Sequence, residues 1–181
     1  SGGDYARYGE AGALLAQACD DPASRAAAAV FAAWGHWSAG DGRGVLEWAE
    51  RILENVGSNG RLGRDFVGFS PLASALTVRV GGLMMLGRLP EAWQQSLEAE
   101  RVVEELQELE VSTWLPLVQA NLAYACGVSE FTPEHGRRSL AIAEQLDNES
   151  SRMCAYATLG RAHLQAGDPA AARAALRESA T

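Results

Sequence analysis

The stretch that decides the fold is MCAYATLGRAHLQAGDPAAARAALRESAT, Met153 to Thr181. Tyr156, Leu159, Gly160, His163, Ala172, Leu176 and Ser179 recur there at helical spacing, on either side of Gly167-Asp168-Pro169. The glycine ends one helix, and a capping Asp followed by Pro starts the next. Gly160 stands where the first helix must nearly touch the second, and Ala172 is the small residue facing it. Such a pair cannot bury its apolar face alone, so it must stack on neighbours.

The same punctuation recurs upstream. Gly40-Asp41, Gly87-Arg88 and Gly127-Val128 each close an Ala/Leu-rich stretch, as Gly167-Asp168 does, at separations of 47, 40 and 40 residues. Gly3-Asp4-Tyr5 offers an earlier turn, 37 residues before Gly40. Asp21-Pro22, Ser70-Pro71, Thr132-Pro133 and Asp168-Pro169 each place a good N-cap before Pro at the first helical position. Leu89-Pro90 is a further start, and Pro116 fits if its helix begins near Ser112 or Thr113. Nine helices follow, over 4–19, 22–39, 43–56, 70–86, 90–109, 113–126, 133–147, 150–166 and 169–180. The first reads as the second helix of a pair, and four pairs come after it.

Within 90–109, Trp93, Leu97, Val102 or Val103, Leu106 and Leu109 predict the apolar stripe, with Glu98 to Glu108 on a solvated acidic face. Residues 55–70 break the pattern with four Gly before the next helix. A Gly-rich loop beside Arg61 and Arg64 could cradle phosphate, but no strand and no GxxxxGK accompany it. The favoured reading is a long inter-repeat loop anchored by Phe66 and Phe69.

Composition narrows the function. The chain has 181 residues and a net charge of −8, and its 15 basic residues are all Arg. No basic run is present to neutralise phosphates, which argues against nucleic-acid binding. The absence of Lys excludes a P-loop or Schiff-base lysine within this sequence. No apolar run is long enough to span a membrane. Cys19, Cys126 and Cys154 are too scattered for disulfides or zinc and predict buried free thiols in a reducing cytoplasm. The start, Ser1-Gly2-Gly3-Asp4, and an end late in a helix predict a piece of a longer protein.

No catalytic motif appears, and neither a cofactor nor a metal is expected. His36, His135 and His163 lack second ligands at metal spacing: His163 reads as a packed position, His135 as a first-turn residue, and His36 as the one with a conceivable binding role. Aligning the Gly-marked turns places Trp34 and Trp37 at the positions of Arg161 and Leu164 in the last pair, facing a groove between first helices. The same transfer brings Gly81 and Met84, then Asn121 and Tyr124, to those positions. Trp34, Trp37, Met84, Tyr124 and Arg161 are therefore the candidate partner-binding residues. Packing of the two Trp between helices is the competing reading. Trp48, Trp93 and Trp114 read as core.

The last pair resembles a tetratricopeptide (TPR) repeat. The fold class that follows is all-α, a TPR-like right-handed solenoid of antiparallel helix pairs, as one domain over residues 1–181. Gly63-Arg64-Asp65-Phe66-Val67-Gly68-Phe69-Ser70-Pro71, Leu86-Gly87-Arg88-Leu89-Pro90-Glu91-Ala92, Ser139-Leu140-Ala141-Ile142-Ala143-Glu144-Gln145-Leu146 and Leu159-Gly160-Arg161-Ala162-His163-Leu164 extend the likeness. They resemble the C-terminal helical-repeat region of large bacterial class III adenylate/guanylate cyclases with an AAA/STAND-type ATPase module. The similar region of LuxR-type ATP-dependent regulators is the second match. In that family the cyclase and ATPase residues lie upstream, so none falls on this chain. The resemblance implies a non-catalytic regulatory scaffold whose partner is a protein, a peptide or another domain of its own chain. A small-ligand sensor is the alternative. Leu14, Leu15 and Cys19 at one end and Ala171, Ala174, Ala175 and Leu176 at the other predict self-association through the end helices.

Overall fold

The computed structural model describes residues 2–128 and 131–180. Ser1 and Thr181, the two ends of the sequence reading, lie outside them. Every regular element among the described residues is an α-helix: α1 (Gly2–Ala16), α2 (Pro22–Ala39), α3 (Gly42–Val56), α4 (Arg64–Val67), α5 (Pro71–Met85), α6 (Leu89–Leu106), α7 (Val111–Cys126), α8 (Pro133–Leu146), α9 (Glu149–Gln165) and α10 (Pro169–Glu178). Nine of these match the expected helices in order and place, and α4 is the addition.

The caps explain the agreement. Asp21 accepts from the backbone N–H groups of Ala23 and Ser24, Ser70 from Ala73, and Asp168 from Ala171. At Thr132 the box is closed by His135, whose Nδ1 accepts from the Thr132 N–H at 3.2 Å. Gly40, Gly87, Gly127 and Gly167 all adopt φ between 68° and 77°, the left-handed turn that a Cβ would strain. Pro116 departs from expectation: α7 begins at Val111, so the proline is its sixth residue and leaves the Ser112 carbonyl without its helical N–H donor.

The helices gather into two compact units, one through Glu108 and one from Leu109. In the first, α2 lies against α1 and α3, α3 against α5, and α5 against α6, while α2 also touches α5. The core is built from Val30, Val45, Trp48, Ile52, Val56 and Val78 among alanines. Glycines set the closest approach: a Cβ on Gly35 would stand 2.5 Å from the Ala6 Cα. The buried face of α6 is Ala92, Ser96, Ala99, Val102 and Val103, whereas Leu97 is exposed. The stripe read from the large side chains was thus misphased, because small residues occupy the contact.

The Gly-rich loop folds back on α6. Arg61 Nη2 donates to the Leu106 carbonyl at 3.3 Å, at the open C-terminal end of that helix. Arg64, in α4, pairs with Glu108 at 3.5 Å, and Glu108 is buried rather than part of a solvated face. Ser70 Oγ donates to the Gly60 carbonyl at 2.5 Å. Phe69 anchors as expected, but Phe66 stays 62% exposed.

In the second unit, α7 lies against α8 and α9, α8 against α9, and α9 against α10. Ser139 Oγ donates to the Thr113 carbonyl at 3.3 Å, and Asn148 Nδ2 to Glu110 Oε1 at 3.2 Å. Gly136 abuts Leu159, whose Cα would lie 2.6 Å from an added Cβ. Gly160 does meet α10, but through the Leu176 side chain at 2.6 Å, with the Ala172 carbonyl next at 3.3 Å.

Candidate functional site

The five candidate residues separate into two settings. In the first unit, Trp34 and Trp37 project from α2 toward α5. Trp34 Nε1 donates to Ser74 Oγ at 3.2 Å. The Trp37 ring lies over Gly81, where a Cβ would come within 1.7 Å of it. The two indoles are tilted by 53° with centroids 5.7 Å apart, and both pack against the core. Their geometry is that of side chains wedged between helices. Met84 is half-buried near the end of the same α5.

In the second unit, the structure brings Tyr124 and Arg161 together with Asn121. The Arg161 guanidinium sits 4.9 Å from the centroid of the Tyr124 ring, and its Nε donates to Asn121 Oδ1 at 3.0 Å. Tyr124 is 60% exposed. The spacing of Asn121 and Tyr124 puts both on the face of α7 that meets Arg161 of α9. Fixing the guanidinium in this way leaves a rigid aromatic and a positioned cation open to a partner, the combination that concentrates binding energy at interfaces.

A further surface escaped the sequence reading. Tyr5, Tyr8, Gly9 and Gly12 on α1 face Ser24, Ala27, Ala28 and Phe31 on α2, and Phe66 and Val67 of α4 close one side. Together they line an open, apolar groove of about 520 Å³. The spacings 5, 8, 9, 12 and 24, 27, 28, 31 are single helical faces, so a signal was present. It was hidden because glycine and alanine carry most of it.

Chemistry is sparse. Among the described residues, no group of three or more His, Cys, Asp or Glu side chains is placed to hold a metal. No described helix is long and apolar enough to cross a membrane. The cysteine expectation is corrected: Cys19, in the bend beyond the end of α1, and Cys126, the last residue of α7, are both exposed. Cys154 is half-buried, and burial pushes its thiol up to about 11. The loop arginines are held by the end of α6, which takes them away from any phosphate cradle.

His36 has two carboxylate partners. Its Nε2 lies 2.8 Å from Glu10 Oε1 on α1, and its Nδ1 lies 2.9 Å from Asp41 Oδ2 in the α2–α3 turn. Asp41 is held below the usual carboxylate range, first by the Gly44 backbone N–H and then by His36. No protein-family model matches the sequence, and no curated protein matches it either.

Proposed function

We propose that this chain is a TPR-like module, a right-handed stack of antiparallel helix pairs that works by protein–protein contact and carries no reaction of its own. One observation supports this above the others. The first helix of a pair lies against its own second helix and against the first helix of the next pair, and this happens twice: α2 against α3 and α5, α7 against α8 and α9. That is the neighbour rule of a stacked repeat. On this reading α1, packed against α2, takes the place of a second helix. Tyr124 and Arg161, steadied by Asn121, form the partner-contacting patch.

The sequence motifs support a parent resembling the cyclase–ATPase signalling proteins, with a cytoplasmic, regulatory role for this part. A second reading, a small-ligand sensor of the LuxR-regulator type, draws on the apolar α1–α2–α4 groove, where exposed Tyr5, Tyr8, Phe31 and Phe66 could close on an apolar molecule.

A photo-crosslinking residue at position 124, compared with one at the exposed position 138 on α8, tests the first reading. The expected result is a discrete protein adduct at 124 that disappears with Arg161→Ala. Equal labelling at both positions, together with a ligand-dependent Tyr or Trp fluorescence change that Phe66→Ala removes, would favour the sensor.

A further inference from the structure

Helix α1 buries only small side chains. Its buried residues are Ala6, Gly9 and Ala13, while Tyr5, Tyr8, Leu14 and Leu15 are exposed. Small side chains bring it close to α2, since a Cβ on Gly9 would stand 2.7 Å from the Phe31 carbonyl oxygen. They remove little surface from water, so the driving force they supply is correspondingly small. Directional polar contacts then carry a larger share of the attachment.

One polar contact that joins α1 to α2 is Glu10 with His36, whose side chain is 13% exposed. Both ring nitrogens lie within hydrogen-bond distance of carboxylate oxygens. A neutral imidazole has one N–H and can donate to only one of them, so its other nitrogen would set a lone pair against a carboxylate oxygen. The imidazolium donates to both. Room for the ring exists because residue 44 is glycine: a Cβ there would fall 2.0 Å from Nδ1.

We propose that Glu10, His36 and Asp41 form a protonation-dependent latch that fixes α1 onto the α2–α3 corner. The two carboxylates are not equivalent. Asp41 is tied down as the N-cap of α3, its Oδ1 accepting from the Gly44 N–H at 3.1 Å. Glu10 is 44% exposed and can swing into water. When the ring gives up its second proton, Asp41 keeps the remaining N–H and the Glu10 contact is lost. The latch is therefore closed at lower pH and loosens as pH rises. Among the described residues, the ionisable groups within ion-pair distance of the ring are Glu10 from α1 and Asp41 from the turn before α3; α4 and α5 supply none. Arg43, beside Asp41, meets that carboxylate through its backbone. Because α1 carries Tyr5, Tyr8, Gly9 and Gly12, the latch also decides whether the α1–α2–α4 groove has its wall.

Backbone amide exchange on the full chain tests this from about pH 5.5 to 8.5, the range in which imidazoles titrate, after correction for the intrinsic pH dependence of exchange. Protection of α1 in the wild type should fall by about tenfold across that range, with α3 and α5 unchanged. His36→Gln should abolish the pH dependence. Glu10→Gln alters only a half-exposed side chain, so it remains informative if His36→Gln fails to fold, and it too should give a flat profile. Wild-type α1 protection that does not change with pH, or a wild-type slope that survives in Glu10→Gln, overturns the proposal.

Discussion

Replacing Gly81 by Ala puts the placement of Trp37 under direct test. In an ordinary helix interior this change is stabilising by about 1 kcal/mol, because alanine loses less backbone freedom. Here the new Cβ would fall 1.7 Å and 2.0 Å from two carbons of the Trp37 ring. Ordinary carbon contact is about 3.5–4.0 Å, so the ring must retreat by roughly 2 Å. A rigid indole packed against the core can do that only by leaving its rotamer or parting α2 from α5. Such overpacking costs about 1–3 kcal/mol. After the propensity gain, the expected net loss is about 0–2 kcal/mol, read as a lower urea midpoint in equilibrium unfolding. The double variant separates the two effects. In a Trp37→Leu background the clash is gone, and Gly81→Ala should become neutral or stabilising by up to about 1 kcal/mol. If Gly81→Ala stabilises the otherwise wild-type chain, and tryptophan emission does not move, then Trp37 does not wedge against α5 and the packing argument fails.

Three further outcomes follow from the same geometry. Gly160→Leu should cost about 1–3 kcal/mol by driving into Leu176, and Leu176→Ala should restore much of that loss in urea unfolding. Asp41 titrates below the usual carboxylate range in the folded chain. Its contribution to stability is present above the unfolded value of about 3.9 and is lost as pH falls through the lower folded value. Unfolding followed between about pH 2 and 6 should therefore be less pH-dependent in Asp41→Asn than in the wild type. Maleimide should label the exposed Cys19 and Cys126 quickly at neutral pH, and Cys154, with its thiol near 11, at least ~100-fold more slowly, as mass spectrometry of the labelled peptides would report.

Helix positions were legible because their signals are local. An Asp, Ser or Thr before Pro, or a glycine forced into the left-handed region, acts within four residues and owes nothing to the rest of the chain. What the sequence concealed depends on partners distant along it. α4 is four residues long, too short for any periodicity to register. The contact face of α6 is drawn by Ala92, Ser96 and Ala99, whose importance comes from how closely a neighbour approaches rather than from their own hydrophobicity. Glu108 looked like one more acid on a charged helix, and only the return of the Gly-rich loop buries it beside Arg64. The register put Asn121 at the position of Arg161 and Tyr124 at that of Leu164, whereas the cation–aromatic contact of Tyr124 with Arg161 needed α7 and α9 side by side.

The most direct test of the central claim is the affinity of the protein captured at position 124, measured by calorimetry against the wild-type chain and Tyr124→Ala. Tyr124 is largely exposed, so its removal should leave the fold intact. As a central aromatic anchor it should be worth about 2 kcal/mol or more, a loss of at least ~30-fold in affinity. A captured partner that binds Tyr124→Ala as tightly as the wild type would contradict the assignment of this surface and the interaction-module account built on it.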